Sequence, residues 1–353
     1  MFATGGAFQV PYKPNLDVIN DGGPFFLGTA DTSANRTGVA AIRRVIRETD
    51  LPRLAASCEA AADAIVNQAN GRLELVDQLV RRVIFDVLAP YFGVPPPLQG
   101  RLDVWATRLF EFQFASSLKD QDLRWEVDGI APAFGAHRWR DRPAGRPAGA
   151  APNDVLGRYP ALQAEGVEGF SDKAIRTAIL CMVVGAPPQP PIVVSQAMEQ
   201  LLRRPEALAA AAAVTAANDD ALLHDIVREA MRFDPLAPGL PRIAVQEWTV
   251  ARGTRRARTI PKGATVIAAF PSAMMDDRRI PSPTRFDPGR RSHEYIHFGH
   301  GLHECFGRHI NGATLHMMLK PLLRRPNLRR ACGPAGRLIK NGPFAEHLVV
   351  EFS

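Results

Sequence analysis

The stretch that decides the reading is Phe298-Gly299-His300-Gly301-Leu302-His303-Glu304-Cys305-Phe306-Gly307. Its glycines let the backbone turn tightly and approach a flat ligand closely. A single cysteine stands just ahead of residues 308–324, whose apolar spacing predicts a helix. The N-terminal end of a helix favours negative charge, so Cys305 is placed where a thiolate is stabilised. A thiolate is a ligand that haem iron accepts, and it pushes electron density towards the opposite face. Two other readings use the same residues. A buried cysteine in a turn is the simplest, because free cysteine behaves as a small apolar core residue. A zinc site drawn from His297, His300, His303 and Cys305 has the right ligand types, although tetrahedral sites normally draw on two separated segments.

Other motifs fall in order around this stretch. Glu229-Ala-Met-Arg232 lies on a predicted helix over 219–233, where Glu and Arg three apart share a face and can pair bidentately. Arg242 follows, and Pro283-Thr284-Arg285-Phe286 precedes the cysteine loop. Phe298, Gly301, His303, Cys305 and Gly307 reproduce the cysteine-ligand signature of the cytochrome P-450 (haem-thiolate) superfamily, and the chain resembles that family in the order of its other motifs. Glu229 and Arg232 resemble the family's K-helix pair, and Arg285 resembles the arginine that completes their network. Asp154-Val-Leu-Gly-Arg158, the helix predicted over 171–184 and Arg203-Arg204-Pro205 stand where the family has its H helix, I helix and following turn. The resemblance covers residues 150–353 well and 20–100 loosely.

The resemblance implies haem b (iron protoporphyrin IX) with Cys305 as the axial ligand of the iron. It implies propionate contacts from Arg242 and His303, and a cofactor loop shaped by Phe298, Gly301 and Gly307. Glu229, Arg232 and Arg285 become a structural network, and Gly185, Leu236, Pro238 and Leu240 part of the substrate pocket.

Two departures from the family bear on function. Its I helix usually carries an acid-alcohol pair after a glycine, which delivers protons at the haem. Here the run reads Val184-Gly185-Ala186-Pro187-Pro188-Gln189-Pro190-Pro191, without acid or hydroxyl, and its prolines break the helix. Gln189 alone in the run both donates and accepts hydrogen bonds, so it is the candidate for orienting a peroxide or substrate oxygen. The alternative is a loop remote from the haem. The second departure is at the front. Asp31 to Arg44 already resembles the start of the family's C helix, so the chain reads as short ahead of it. That helix lacks the usual histidine, leaving Arg43, Arg44 or Arg47 as propionate partners. The pocket is then either more open, or covered by Met1–Asn35 or by a partner chain.

The expected function is a haem-thiolate oxidoreductase acting on an apolar small molecule through peroxide-level oxygen. It would be a peroxygenase or a hydroperoxide-rearranging enzyme, with Cys305 and Gln189 as catalytic residues. The runner-up is a dioxygen-dependent monooxygenase served by an acidic ferredoxin, docked on Arg278, Arg279, Arg290, Arg291, Arg308, Arg324 and Arg325. A third reading, from a different class, is a non-catalytic haem-binding relative that keeps the ligand cysteine.

Composition narrows the setting. The 353 residues are 46% hydrophobic and 22% charged, which excludes a wholly disordered chain. The net charge of +7 comes from scattered arginines such as Arg43-Arg44 and Arg324-Arg325, with no basic tail or interleaved aromatics, and argues against nucleic acid. Cys58, Cys181, Cys305 and Cys332 form no CxxC pair, and Met1–Asn20 shows no secretory pattern, so a cytoplasmic location is expected. No uninterrupted apolar run approaches the roughly 20 residues of a membrane span, because prolines break Ala178–Val194. Helical spacing also predicts helices over 38–48, 52–68, 73–92, 154–164 and 193–204, while Arg140–Pro152 reads as a mobile loop. Period two over 242–270 predicts a small antiparallel sheet, and Leu348–Val350 a short strand. The expected fold class is mainly α with small β-sheets, a single cytochrome P-450-like haem domain over 36–353 after an irregular segment, 1–35.

Overall fold

Capping residues and prolines set where the helices begin. The computed structural model describes residues 6–23, 25–94, 100–115, 121–136 and 154–353. After strand β1 (Phe8–Gln9), helix α1 (Lys13–Asn20) carries Pro14 in its first turn. The Thr32 hydroxyl caps α2 (Ser33–Val45) by accepting from the Asn35 N–H, and Pro52 opens α3 (Leu51–Gln68). Strand β2 (Arg72–Glu74) leads into a π-helical stretch, Leu75–Arg81, where the Glu74 carboxylate accepts from the N–H groups of Val76, Asp77 and Gln78. Next come α4 (Arg82–Phe92), α5 (Leu102–Phe114), α6 (Gln121–Ala136) and α7 (Val155–Ala164), the last capped by Asp154. The second half holds α8 (Asp172–Gly185), α9 (Pro190–Leu202), α10 (Pro205–Ala216) and α11 (Asp220–Phe233).

The chain then turns to strands β3 (Leu240–Ala244), β4 (Trp248–Val250), β5 (Arg258–Ile260) and β6 (Thr265–Ala268). Helices α12 (Phe270–Met274) and α13 (Arg308–Leu323) flank the cysteine loop, and β7 (Arg329–Arg330), β8 (Ile339–Asn341), β9 (Phe344–His347) and β10 (Val349–Glu351) follow. β3 pairs antiparallel with β1 on one side and β6 on the other, with Ala244 opposite Phe8 and Arg242 opposite Val266. Side chains alternate across a strand, so Arg242 and Ala244 share the buried face while Pro241 and Ile243 take the other. β10 pairs with both β2 and β7, tying residues 349–351 back to the first third of the chain.

α9 is the central rod: every residue from Pro190 to Leu201 is buried, as expected of a helix enclosed on all sides. Leu54, Cys58, Ala62 and Val66 recur every fourth residue as the buried stripe of α3, which packs along α13. Lys320 of α13, 4% exposed, is held by Asp220 at 2.6 Å and Glu59 at 3.2 Å. Such a buried cation is tolerated because it is paired.

The expected mainly helical class with small sheets is what the chain adopts. Several elements differ from the sequence expectation. Residues 205–216 form α10, an alanine-rich helix that the periodicity did not mark. The segment 1–35, expected to be irregular, contains β1 and α1. An isolated eight-residue helix is marginal in water, so α1 owes its helix to docking rather than to local signals. The expected loop Arg140–Pro152 lies outside the described residues. Asp172–Leu202 includes a window apolar enough to cross a membrane, but 78% of that window is buried inside the fold.

Candidate active site

The cysteine loop is built by two left-handed glycines and one backbone bond. Gly299 (φ +73°) and Gly301 (φ +78°) occupy the region that a Cβ disfavours, and the Cys305 N–H closes the loop on the Phe298 carbonyl at 2.7 Å. α13 begins three residues beyond Cys305, and the Gly307 N–H lies near the cysteine sulfur. The electrostatics differ from the sequence expectation. Burial, together with the Glu304 carboxylate, outweighs the Gly307 donor and raises the thiol above its ordinary value. The helix end alone does not make the thiolate; a cation in contact with the sulfur would.

Cys305 opens on a cavity of about 270 Å³. Phe298, Gly299, His297 and His303 flank the cysteine, and Val184, Gly185, Gln189, Pro190 and Val193 contribute another wall from the junction of α8 and α9. Leu236, Leu240 and Arg242 contribute a side wall, while Tyr12, Leu16 and Ile19 of the α1 region join Phe110 and Phe114 of α5. The segment before α2 thus covers the pocket that the sequence left in question. Asn15 Nδ2 donates to the Phe112 carbonyl at 2.6 Å, and Asn20 Nδ2 meets the Cys181 sulfur at 3.3 Å, fastening α1 near both ends.

The break between α8 and α9 borders this cavity and is not a remote loop. Proline at 187, 188, 190 and 191 leaves the carbonyls at the end of α8 short of donors. Gln189 compensates: its side-chain Nε2 donates to the Gly185 carbonyl. Cys181, one turn earlier, also lines the cavity, and burial pushes its thiol up to about 12.

Three sequence expectations are corrected. Glu229 and Arg232 form the expected buried bidentate pair, at 2.8 and 2.9 Å, but the second guanidinium on Glu229 comes from Arg290, at 3.2 Å. Arg285 contributes its main-chain carbonyl instead, accepting from Arg232 at 3.2 Å and from Arg290 at 2.9 Å, while its residue is exposed. Tyr295 and the Asp287 N–H complete the carboxylate's partners. Pro238 is exposed and does not line the cavity, whereas its neighbours Pro235 and Ala237 do. Arg290, expected on a docking face, is buried. Of the other arginines of that face, Arg278, Arg308 and Arg324 are paired with Asp276, Glu304 and Glu59, and Arg325 donates to Asn67.

The arginines proposed from α2 and just beyond it do not reach this cavity. Arg44 pairs with Glu165 at 3.3 Å, while Arg43 and Arg47 line a second cavity of about 550 Å³ that Cys305 also lines, with Glu304 and Arg308. The zinc arrangement is not assembled either: among the described residues no three His, Cys, Asp or Glu side chains converge. His297 instead bonds the Arg228 carbonyl through Nε2 at 3.0 Å, and burial lowers it to about 4, so it is neutral.

This donor set fits haem. It joins the soft sulfur of Cys305, an apolar cavity, the Arg242 guanidinium and the His303 imidazole without a carboxylate among the described lining residues. A family model for cytochrome P450 matches residues 165–330. The fold agrees across its length: the crystal structure of CalO2 superposes with a TM-score of 0.78 over 97% of this chain and 86% of that one, at 20% identity. The fold is that of solved cytochromes P450. The family's cofactor is haem held by a cysteine thiolate, and this chain has Cys305 at the matching position of the family's signature.

Among curated relatives, a bifunctional dioxygenase–epoxy alcohol synthase of Pyricularia oryzae is 33% identical over 121 residues, covering 34% of this chain and 10% of that protein. The cyclomarin C epoxidase CymV of Salinispora arenicola is 24% identical over 278 residues, covering 78% of this chain and 65% of that protein. The aligned part of this chain thus spans a tenth of the first of these relatives.

Proposed function

We propose that this protein is a haem-thiolate oxidoreductase acting on an apolar small molecule through oxygen already at the peroxide level. The α8–α9 break carries the reading: it shares a cavity with Cys305, and no carboxylate and no Ser or Thr hydroxyl lines that cavity among the described residues. When bound, thiolate-held haem supplies O–O bond cleavage. Use of dioxygen requires two electrons and two protons from outside, and the side chains of Val184, Pro190 and Val193 relay no proton. A hydroperoxide carries both with it. Transfer of one oxygen from ROOH to a substrate leaves ROH, and rearrangement of an unsaturated hydroperoxide to an epoxy alcohol is an isomerisation; neither needs a reductant. The epoxy alcohol in the name of the Pyricularia relative fits the second case.

The chain's own residues take these roles in this reading. Cys305 would ligate the iron, with its backbone N–H tied to the Phe298 carbonyl and the Gly307 N–H near its sulfur. Arg242 and His303 hold the propionates, and Phe298, Gly301 and Gly307 shape the loop. The side chains along α1 and α5 exclude water and select an apolar substrate. Gln189 has its amide N–H directed to Gly185, so it meets a hydroperoxide through its carbonyl oxygen and accepts the O–H proton in a hydrogen bond. Residues 36–353 act as one haem domain, to which the preceding segment adds a cover.

A dioxygen-dependent epoxidase is the second reading, favoured by the similarity to CymV over most of the chain. Stopped-flow mixing with hydrogen peroxide or a fatty-acid hydroperoxide, without reductant, separates the two. Product formation under those conditions is expected. Turnover confined to dioxygen plus a reduced ferredoxin overturns the peroxide reading.

A further inference from the structure

We infer that Tyr12 is a positioning residue for a haem propionate, paired with Arg242 in the apolar cavity that Cys305 lines. The inference rests on the haem reading above. Arg242 is 4% exposed on β3 and donates through Nη1 to the Pro241 carbonyl at 2.8 Å. Tyr12 lines the same cavity, and the Arg242 guanidinium lies near enough to pull against the effect of burial on its phenol. No residue of α2 lines that cavity.

Tyr12 is also held in place. It precedes α1, its carbonyl accepts from Gln113 Nε2 at 3.4 Å, and its ring meets Phe114 edge-on at 5.2 Å between centroids. Asn15, one turn on, is anchored to the Phe112 carbonyl. Burial raises the phenol above its ordinary value, so it stays protonated. A neutral phenol keeps its O–H to donate, and a carboxylate placed between Tyr12 and Arg242 would receive two charge-assisted hydrogen bonds. The phenol adds no charge to a cavity that already carries a buried cation.

The test compares wild type, Tyr12→Phe and Arg242→Gln loaded with hemin or with hemin dimethyl ester, whose propionates are masked. Haem release to excess apomyoglobin is followed by absorbance. A hydrogen bond to a charged group is worth about ten-fold or more, so Tyr12→Phe is expected to release hemin about ten times faster than wild type. It is expected to release the dimethyl ester at the wild-type rate. Faster release of both overturns the inference, because Tyr12 then acts by closing the pocket. Unchanged hemin release in Tyr12→Phe beside faster release in Arg242→Gln also overturns it. The ring stays in Tyr12→Phe, so the haem-free variant should unfold in urea at the wild-type midpoint, and a lowered midpoint assigns the effect to folding and overturns the inference. The haem reading is tested separately by the carbon monoxide difference spectrum of reduced wild type, which must show thiolate ligation that Cys305→Ser loses.

Discussion

Glu229 is buried with two guanidinium groups, and the sequence pointed to the wrong second partner. The Arg232 partner was legible because three-residue spacing on a helix dictates a shared face. Arg285 and Arg290 both precede the cysteine loop, and spacing does not say which turns inward. The turn does: Arg290 reaches the Pro281, Ser282 and Arg285 carbonyls as well as Glu229, so its burial is compensated. Arg290→Ala is therefore expected to destabilise the fold by about 3 kcal/mol, the scale for breaking a buried ion pair. Arg285→Ala, which keeps the carbonyl, is expected to stay within about 0.5 kcal/mol. Urea unfolding of the two variants checks the contrast. Cys305 was the most legible residue, because glycine at 299 and 301 is demanded by positive φ and marks the loop in the sequence itself.

At the scale of elements, the proline-rich break was visible as a break, and its location was not. Proline removes donors wherever it stands, so the end of α8 near Gly185 follows from chemistry. That α9 then continues as the most buried helix, beginning at Pro190, follows from the tolerance of the first helical turn for proline. Gln189 joins the two halves. Gln189→Glu replaces its N–H donor with an acceptor facing the half-buried Gly185 carbonyl, and losing that partner is expected to cost about 1 kcal/mol. The variant is expected to unfold at lower urea and to lose peroxide-driven turnover, while Pro190→Ala leaves both nearly unchanged. α1 was illegible for the opposite reason. Its eight residues are too few to nucleate alone, and its helix depends on α5, nearly a hundred residues away.

The whole molecule carries a pH dependence that no single motif announces. Burial lowers His316 to about 4, helped by His224 and Lys320 and opposed by Asp220. The unfolded chain protonates this histidine near its ordinary value of 6.5, and the folded chain only near pH 4. Between these values the unfolded state binds more protons, so stability falls as pH drops from 6.5 to 4 and is fully present above 6.5. Each such histidine contributes up to roughly 3 kcal/mol, and His297 shows the same shift for the same cause. Urea midpoints measured at pH 7 and pH 4.5 should show the loss, and His316→Leu should reduce it by roughly half.

By itself the sequence determined the helical class, the cysteine loop, the Glu229–Arg232 pair and the broken helix, because each rests on local chemistry: periodicity, left-handed glycine, three-residue spacing and the missing donors of proline. The tertiary structure decided what meets across the chain. It chose Arg290 over Arg285, set Gln189 in the apolar cavity of Cys305 and Arg43 in a second cavity that Cys305 also lines, and laid α1 across the pocket with Tyr12 beside Arg242. Those outcomes depend on which surfaces exclude water together, a property of distant segments that no window of sequence contains.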